Sequence, residues 1–500
     1  MAESIGLKTG DARFWDSNNL RTEIDRVFDI CHSCRLCFKF CGSFPTMFEL
    51  IDGITDRRRA DYLAEHPEVV EAAERKRAAA AQAAPKEHDG ERAEGFGDEM
   101  PELSGHASDL SHADVDRIVD LCFQCKLCYP NCPYTPPHEF AIDFPRLLLR
   151  WKAQRVRHQG VPLRTKVMRN TALLGTVGSM APGLTRWATS NSANRLLMEK
   201  VLNVHREKQL PAFHGETFAK WWQRRGAGRV EAAQPLKEGV ESPTPMKVVL
   251  FATCLVNYND PVAGKAAVQV LEHNGVEVAY PSEQVCCGMP ILDGGDLDAV
   301  ASAVRRNVDL LADWVARGYE IVIPSPSCSL VIREEYPQLS DDPAAATVAA
   351  HSHDLCDYIF RIGREGRLKR DFRRRLGRVK YHVPCHLRVQ NIGFRGRDLL
   401  KLVADEVELI QECSGHDGTW SMQKENFKDS LRWGRKLFDA LEPTAGEGCS
   451  ATCSDCALAA TQINQATGLK ALHPVVVLAY AYGFDVGAAA GLLEEARKQV

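Results

Sequence analysis

The sequence predicts an α+β protein, with an α-helical N-terminal domain followed by two repeated α/β units that each contain a parallel sheet. Three observations support this class. One cysteine run of fixed spacing occurs twice in the first third of the chain, the second half repeats a single order of strand, cysteine and helix, and a linker, EGVESPTP, separates the two parts. At 500 residues, of which 45% are apolar, the chain is long enough for two to four domains with a large buried core.

The distribution of charged residues divides the chain into further regions. The formal net charge is only −4, but residues 42–121 carry 19 acidic and 9 basic side chains, whereas residues 146–229 carry 17 basic and 3 acidic ones. The acidic segment is expected to loop out of its domain. We expect an N-terminal domain at 1–150 with an acidic insertion at about 42–121, a basic helical linker or docking region at 151–240, and α/β units at 246–370 and 376–490.

The 18 cysteines are too many for incidental packing. Disulfides are not expected, because the N-terminus has neither the basic start nor the apolar run of an export signal, and a cytoplasmic chain stays reduced. No stretch reaches the ~20 apolar residues that span a bilayer, and the apolar run ALHPVVVLAYAYGF near the C-terminus is too short. We therefore expect a cytoplasmic protein that does not cross a membrane.

Two runs share the spacing Cys-x-x-Cys-x-x-Cys-x-x-x-Cys. Three thiolates on a tight turn can bind three irons of one cubane, while the fourth points towards a second cluster, as in two-cluster ferredoxins. This crossing predicts two 4Fe-4S clusters. The first would be held by Cys31, Cys34, Cys37 and Cys132, and the second by Cys122, Cys125, Cys128 and Cys41.

Zinc is the alternative for these eight thiols. Zinc knuckles normally supply two cysteines at each of two separated positions, however, rather than four in one run. Gly42 follows the first run where Pro133 follows the second, which loosens the turn without removing a ligand. Apolar residues between the thiols, such as Leu36 and Phe123, are expected to keep water away from the clusters.

The basic region contains four of the eight tryptophans and short apolar helices that glycine and proline interrupt. Two interpretations remain open: a linker packed between two domains, and a surface that binds anionic lipid or an acidic partner protein. Nucleic acid is not an expected partner, because no aromatic platform or recognition-helix pattern accompanies the charge.

Each α/β unit places cysteines at the ends of predicted strands. The carboxyl ends of parallel strands meet at one edge of a sheet beside helix N-termini, where a thiolate-bound cluster is favoured. The first unit offers Cys254, Cys286, Cys287 and Cys328 as a candidate metal site. The second offers Cys385, Cys413, Cys453 and Cys456, with Cys449 close by. A further iron–sulfur cluster, zinc and an empty site remain open for both units.

Three histidines follow or precede these thiols closely in the sequence, namely His382, His386 and His416. We expect them to donate hydrogen bonds to cluster sulfur or to the backbone rather than to bind metal. Cys356, in a helix-like stretch, is expected to be a buried thiol. No glycine-rich phosphate loop and no Ser-His-Asp order is present, so the sequence identifies no catalytic residue.

These motifs together resemble a known family. The two ferredoxin runs, VCCGMP, PSPSCSLVIREEYP, YHVPCHLRVQNIG, CSGHDGTWSMQKENF and CSDCALAATQI are similar to stretches of the cysteine-rich "CCG"-domain iron–sulfur proteins, in particular the C subunit of anaerobic glycerol-3-phosphate dehydrogenase. The iron–sulfur subunit of glycolate oxidase and the heterodisulfide reductase subunits with this domain are similar too. The resemblance covers nearly the whole chain except the acidic insertion.

The resemblance implies an electron-transfer subunit rather than a complete enzyme. A flavoprotein dehydrogenase subunit would oxidise the substrate, the two ferredoxin clusters would relay the electrons, and membrane quinone would accept them at the inner face of the cell membrane. The alternative is a reductase of heterodisulfides or other sulfur compounds that uses the C-terminal crevice. Ser414 argues against that alternative, because it replaces the second thiol of the CCG motif. Glycerol 3-phosphate, glycolate and lactate remain equally compatible as the donor's substrate.

Overall fold

The computed structural model describes residues 5–82, 102–226, 228–241, 243–443 and 451–498. A helical N-terminal region is followed by a group of short helices and by two small parallel sheets with helices around them. The predicted α+β class is confirmed. Within the described ranges, no helix is both long and apolar enough to cross a membrane.

The N-terminal region is helical. Its helices are α1 (Ser17–Cys34), α2 (Ser43–Glu65), α3 (Pro67–Gln82), α4 (His112–Asp120) and α5 (Phe144–Gln159). Helix α1 begins after Asp16, whose carboxylate accepts hydrogen bonds from the amides of Asn18 and Asn19 at 2.8 and 3.0 Å. It ends at Arg35, which has a left-handed backbone (φ 53°) and so turns the chain into the first cysteine run.

The structure corrects the expectation that residues 42–121 loop out as one insertion. Phe44, Met47 and Phe48 of α2 are buried in the same core as Val115 and Ile118 of α4. Both ends of the acidic segment therefore belong to the N-terminal domain. Its amphipathic helices supply the apolar side chains, while the acidic residues remain on the outer faces. Residues 83–101 lie outside the described residues.

The basic region folds into short helices. They are α6 (Leu163–Arg169), α7 (Thr171–Met180), α8 (Pro182–Ser190), α9 (Ser192–Leu202) and α10 (Phe218–Arg225). Helix α7 lies close to the first α/β unit because it carries glycine at the contact: a Cβ at Gly175 would lie 2.2 Å from the ring of Tyr258, and one at Gly178 would lie 2.6 Å from the ring of Phe213.

The first α/β unit contains a parallel sheet of four strands in the order β2-β1-β3-β4. The strands are β1 (Lys247–Leu250), β2 (Glu277–Ala279), β3 (Glu320–Ile323) and β4 (Ser352–Asp354). The helices are α11 (Cys254–Tyr258), α12 (Pro261–His273), α13 (Met289–Leu292), α14 (Leu297–Ala316), α15 (Pro326–Leu330), α16 (Tyr336–Leu339), α17 (Pro343–Ala350) and α18 (Leu355–Arg364).

Strand β4 was not expected from the sequence, because its residues are Ser, His and Asp rather than apolar. All three are buried. The Nε2 atom of His353 forms a hydrogen bond with the Glu320 carboxylate of β3, at 2.6 Å. Backbone pairing with β3 and these internal hydrogen bonds hold a polar strand that a hydropathy pattern does not reveal.

The second α/β unit contains three parallel strands in the order β6-β5-β7. They are β5 (Leu376–His382), β6 (Ala404–Ile410) and β7 (Ala451–Ser454), and the helices are α19 (Cys385–Val389), α20 (Arg395–Leu400), α21 (Phe427–Leu441), α22 (Ala457–Thr467), α23 (Pro474–Tyr482) and α24 (Ala489–Lys498). Helix α23 contains the apolar run near the C-terminus, and every residue of it is buried. It packs against α12 of the first unit in one shared core.

Candidate metal centres

Four thiols of the two ferredoxin runs gather beside the C-terminal end of α1. Cys31 and Cys34 lie on its last turn, Cys37 follows the left-handed residue Arg35, and Cys132 comes from the second run. These four line one small pocket together with Leu36, Phe44, Pro133, Tyr134 and Ile142. The grouping is the one that the crossed ferredoxin arrangement requires, with three ligands from one run and the fourth from the other.

The other four thiols form a second, more deeply buried group. Cys41, Cys122, Cys125 and Cys128 are all buried. Left-handed backbone at Gln124 and Lys126 (φ 52° and 58°) winds the second run so that its thiols face inward. The Gln124 side chain donates to the Cys122 sulfur at 3.4 Å and to the Pro145 carbonyl at 3.1 Å, which fixes the loop against the start of α5.

The electrostatics of both groups fit a bound cationic cluster. Burial, followed by the neighbouring thiols, raises the pKa of Cys37 to about 12, and it raises the pKa of Cys41 to about 12 as well. The pKa values of Cys125 and Cys128 rise further for the same reasons. Four buried thiols that oppose one another's ionisation become thiolates only when a metal centre neutralises their charge. The donor sets are all sulfur, as iron–sulfur clusters require.

The four candidate thiols of the first α/β unit also converge. Cys254 begins α11, Cys286 and Cys287 precede Gly288, whose left-handed backbone (φ 96°) starts α13, and Cys328 lies in α15. The Cys287 and Cys328 sulfurs are 3.2 Å apart. Interactions of the Cys286 thiol with those of Cys254 and Cys287 lower the pKa of Cys286 and raise the pKa of the other two. The unit therefore presents four sulfur ligands at one point.

The second unit brings only three of its four candidates together. The Cys385 thiol lies close enough to those of Cys413 and Cys456 for both to raise its pKa, after burial. Cys453 lies on β7, fully buried in the shared apolar core, and the described contacts do not bring it to the other three. Ser414 is buried beside Cys413, so the missing thiol has no substitute there. Cys449 lies outside the described residues.

The three histidines form hydrogen bonds with other groups of the protein. His386 shares a hydrogen bond with Ser327 Oγ (2.8 Å) and donates to the Gln124 carbonyl at 3.0 Å. His382 is 3.0 Å from Ser454 Oγ and donates to the Glu412 carbonyl at 3.2 Å. Burial lowers the pKa of both to about 4, so both rings are neutral. His416 Nδ1 lies 2.8 Å from Ser421 Oγ. Their described hydrogen-bond partners are hydroxyl groups, backbone carbonyls and, for His416, also the Lys208 ammonium at 3.4 Å; none is a thiol.

A further buried cluster lies outside these groups. The ligand atoms of Cys356, Asp455 and His473 all lie within 4.8 Å of one another. The Cys356 thiol donates to one Asp455 oxygen at 3.3 Å, and the Tyr381 hydroxyl donates to the other at 2.5 Å. Both carboxylate oxygens thus have partners, and the cluster is a hydrogen-bond network that joins the two units.

The four thiol groups follow one another through the molecule. The Cys37 thiol influences that of Cys128 electrostatically, and the thiols of Cys385 and Cys413 influence that of Cys125. The Cys328 thiol in turn raises the pKa of Cys456. The order is therefore first ferredoxin group, second ferredoxin group, second-unit thiols, first-unit thiols. The sequence did not reveal this order, since it links residues nearly three hundred positions apart, such as Cys125 and Cys413.

Two aspartates that no sequence motif distinguished lie at the end of this series. Asp293 and Asp417 both line a cavity beside the thiols of the first unit. Burial outweighs the nearby Lys126 and Lys152 and raises the pKa of Asp293 to about 7, and burial and Asp293 raise the pKa of Asp417 well above its usual range. Asp417 belongs to the stretch CSGHDGTW, but nothing in the sequence separates it from a surface turn residue.

Comparison with known proteins gives two family matches. The family model described as "Cysteine-rich domain" (CCG) matches residues 248–333 and 379–460, and "Citrate utilization protein B Fer4-like domain" matches residues 93–159. The two CCG matches fall on the two parallel sheets, and the Fer4-like match contains the second cysteine run. The resemblance inferred from the motifs is thereby confirmed.

Curated proteins with similar sequences support the same family. The C subunit of anaerobic glycerol-3-phosphate dehydrogenase from Escherichia coli strain K12 is 26% identical over 415 residues, which is 73% of this chain and 99% of that protein. "Lactate utilization protein A" of Bacillus cytotoxicus is 31% identical over 188 residues, 36% of this chain and 75% of that protein. The protein of the same name from Bacillus thuringiensis is 30% identical over 218 residues, 42% of this chain and 87% of that protein.

Proposed function

This chain belongs to the cysteine-rich-domain family of iron–sulfur proteins, and from that premise we propose that it is the electron-transfer subunit of a multi-subunit dehydrogenase. A flavoprotein subunit supplies the electrons, and membrane quinone accepts them. Two 4Fe-4S clusters are held by the crossed ferredoxin ligands, Cys31, Cys34, Cys37 and Cys132 for the first, and Cys122, Cys125, Cys128 and Cys41 for the second. When bound, these clusters supply reversible one-electron chemistry.

The observation that carries the proposal is the serial order of the thiol groups. A catalytic site needs one place where substrate meets reactive groups, whereas a relay needs several centres at close intervals. Cysteines of both ferredoxin groups border the same core as Cys385 and Cys413 of the second unit, and Cys456 lines the same cavity as the first-unit thiols. The protein contributes by positioning these thiols and by excluding water from most of them.

Electrons arrive at the first ferredoxin group. Cys34 is exposed, and the adjacent apolar side chains of Leu36 and Phe38 are 55% and 59% exposed. The second group, by contrast, is buried throughout. An apolar rim around an exposed ligand is suited to a protein partner, because docking would cover it and shorten the distance for electron transfer. The Escherichia coli relative is named as a subunit of a dehydrogenase, which supports a flavoprotein partner.

The short helices of the basic region bind the inner face of the cell membrane. Nine of the fifteen large apolar side chains that are exposed in the described ranges lie between Leu163 and Val201. Arg164, Lys166, Arg186 and Lys200 are exposed among them, and no acidic residue is exposed between 160 and 200. Apolar residues and cations on short helices suit peripheral binding to anionic lipid on the cytoplasmic leaflet.

Metal analysis tests the relay. Protein purified without oxygen is assayed for iron, sulfide and zinc, and by EPR after dithionite reduction. At least about eight irons are expected from the two ferredoxin clusters. Cys125→Ser should remove one cluster signal and most electron flow from dithionite to a soluble acceptor, whereas the buried control Cys356→Ala should keep both. Unchanged electron flow in Cys125→Ser, or zinc in place of iron, would refute the proposal.

Reduction of a sulfur compound in the first-unit crevice is the second candidate. It is favoured by the position of Cys254, Cys286 and Cys328 on the wall of an open cavity. Protein loaded with electrons is offered heterodisulfides and persulfides, and product is counted per protein. Many turnovers would establish this activity; consumption of no more than the stored electrons would eliminate it.

A further inference from the structure

A large apolar cavity opens beside the thiols of the first unit. It has a volume of about 370 Å³ and lies between α7–α9, the segment 210–213 and the facing edges of the two α/β units. Its apolar walls are formed by Met168, Leu174, Val177, Met198, Leu202 and Phe213. The volume lies at the small end of the range for cavities that hold a small molecule, roughly 300–1,000 Å³.

The inner end of the cavity reaches the metal-binding thiols. Cys254, Cys286, Cys287 and Cys328 of the first unit lie on this wall, and so does Cys456 of the second. The outer end reaches the proposed membrane surface, because Val177 both lines the cavity and is 58% exposed on α7. One passage thus joins the last thiol group of the relay to the apolar face of the short helices.

The chemistry of the walls restricts the ligand. No arginine or lysine is among the described residues that line the cavity. A phosphate, carboxylate or sulfonate would therefore lose its hydration without meeting a cation on these walls. Glycerol phosphates, hydroxy acids and anionic disulfides are therefore poor ligands, whereas a neutral, flat, mostly apolar molecule suits these walls.

We propose that this cavity binds the ring of a lipid-soluble quinone, with the isoprenoid tail leaving between α7 and α9 towards the membrane. The proposal rests on the function proposed above and assigns its acceptor site. The polar groups of the cavity suit a ring with two carbonyl oxygens: Thr171, Ser327 and the two aspartates lie along the walls near the thiols. Asp293 Oδ1 has no hydrogen-bond partner among the described residues and is available to a ligand.

The reaction at this site balances with groups of the cavity and the proposed donors. The quinone gains two electrons, one at a time, from reduced iron–sulfur centres, which are oxidised. It gains two protons, and its two carbonyl oxygens become the hydroxyls of the quinol. Asp293 and Asp417 are the carboxyl groups in the cavity that can pass protons to these oxygens, and the cavity mouth allows them to be protonated again from solvent.

A matched pair of variants on α8 tests the site. Thr189 lines the cavity, whereas Ser190, on the same helix, is exposed and does not. Electron flow from dithionite is measured to a short-chain quinone and, separately, to ferricyanide. Thr189→Trp should lower quinone reduction at least about tenfold, because the larger side chain occupies the ligand's space, while ferricyanide reduction stays within about twofold. Ser190→Trp should leave both rates within about twofold.

A binding measurement keeps the test independent of electron transfer. An azide-bearing short-chain quinone is photolysed with wild-type protein, and the cross-linked peptides are identified. Cross-links within residues 168–213, 253–259 or 286–293 that excess unmodified quinone prevents would support the site. Cross-links elsewhere, or normal quinone reduction by both Thr189→Trp and the second variant Leu202→Trp, would overturn it. If the wild-type protein reduces ferricyanide but no quinone, quinone is not its electron acceptor, and that part of the proposed function is wrong.

Discussion

The two α/β units are copies of one design that differ in how many thiols they gather and in what those thiols face. The first unit gathers four, and they lie on the wall of the large cavity. Among the described residues the second gathers three: Cys385 and Cys413 lie next to the buried ferredoxin group, and Cys456 lies on the cavity wall with the first-unit thiols. The sequence motif differs by single residues, Ser414 for one cysteine and Ser325 for another. In the proposed relay, the first unit would lie at the acceptor end, and the second would lie between it and the ferredoxin groups.

The units also differ in how they are joined to the N-terminal domain. The first is joined by a buried ionic network: Lys126 binds Glu335, and Arg146 contacts the same carboxylate at 3.1 Å and Asp143 at 2.9 Å. The second is joined by rings and neutral hydrogen bonds, with Trp420 against Phe123 at 5.0 Å and its indole donating to the Asp120 carbonyl at 2.9 Å. Breaking the ionic contact should cost more, because it leaves a buried charge.

Lys126→Met should have the largest effect on stability. Arg146 would be the remaining ion-pair partner of the Glu335 carboxylate. We therefore expect the free energy of unfolding to fall by about 3 kcal/mol, at the lower end of the range for a broken buried ion pair. Urea unfolding without oxygen, followed by tryptophan fluorescence, measures the change. Lys401→Met, at an exposed position of the second unit, should shift stability by less than about 0.5 kcal/mol. Equal effects would show that the network does not distinguish the units.

Acid should reduce the difference in stability between the wild-type protein and the Lys126→Met variant. Lys126 and Arg146 overcome the opposing effect of burial and lower the pKa of Glu335 to about 2, from a usual 4.5. A lowered carboxyl pKa contributes stability that is fully present above pH 4.5 and is lost as the pH falls through 2. The gap between the two urea midpoints should therefore shrink from about pH 5 to about pH 3. A gap that grows in acid would contradict the ionic network.

Removing one thiol should affect the first unit more than the second. We expect the four thiols of the first unit to hold a third iron–sulfur cluster, so Cys287→Ser should lower the iron content by about four per protein and quinone reduction by at least about a hundredfold. Cys413→Ser should change the iron content by less than about one, because only three thiols of the second unit gather among the described residues. Equal iron loss in the two variants would remove the distinction drawn between the units.

Trp420→Phe should have the smallest effect. The phenyl ring retains most of the contact with Phe123, but the hydrogen bond to the Asp120 carbonyl is lost, so we expect about 1 kcal/mol. The measurement is the same urea series, with Trp433→Phe, on α21 away from this contact, as the control. A loss as large as that of Lys126→Met would mean that the second unit is as firmly tied as the first.

Most strands and helices of the α/β units were predictable because their residues repeat with the period of the element. In α12 (Pro261–His273), for example, the buried residues Ala263, Ala267 and Val270 recur with a helical spacing. Strand β4 was missed because its polar residues are stabilised by partners distant in sequence. The acidic segment was misjudged for a related reason, since charge count describes the outer face of α2 and α4 and not the apolar face that packs.

The sequence by itself determined the chemistry of this protein: cysteine spacing within a run is local, and local spacing decides which thiols lie on one turn. The tertiary structure decided which distant thiols meet. Cys132 joins Cys31, while Cys453 remains in the core. It also decided that Asp293 and Asp417 line one cavity, from two different units. Such neighbours depend on how the sheets pack, and packing sums many weak contacts that no short motif encodes.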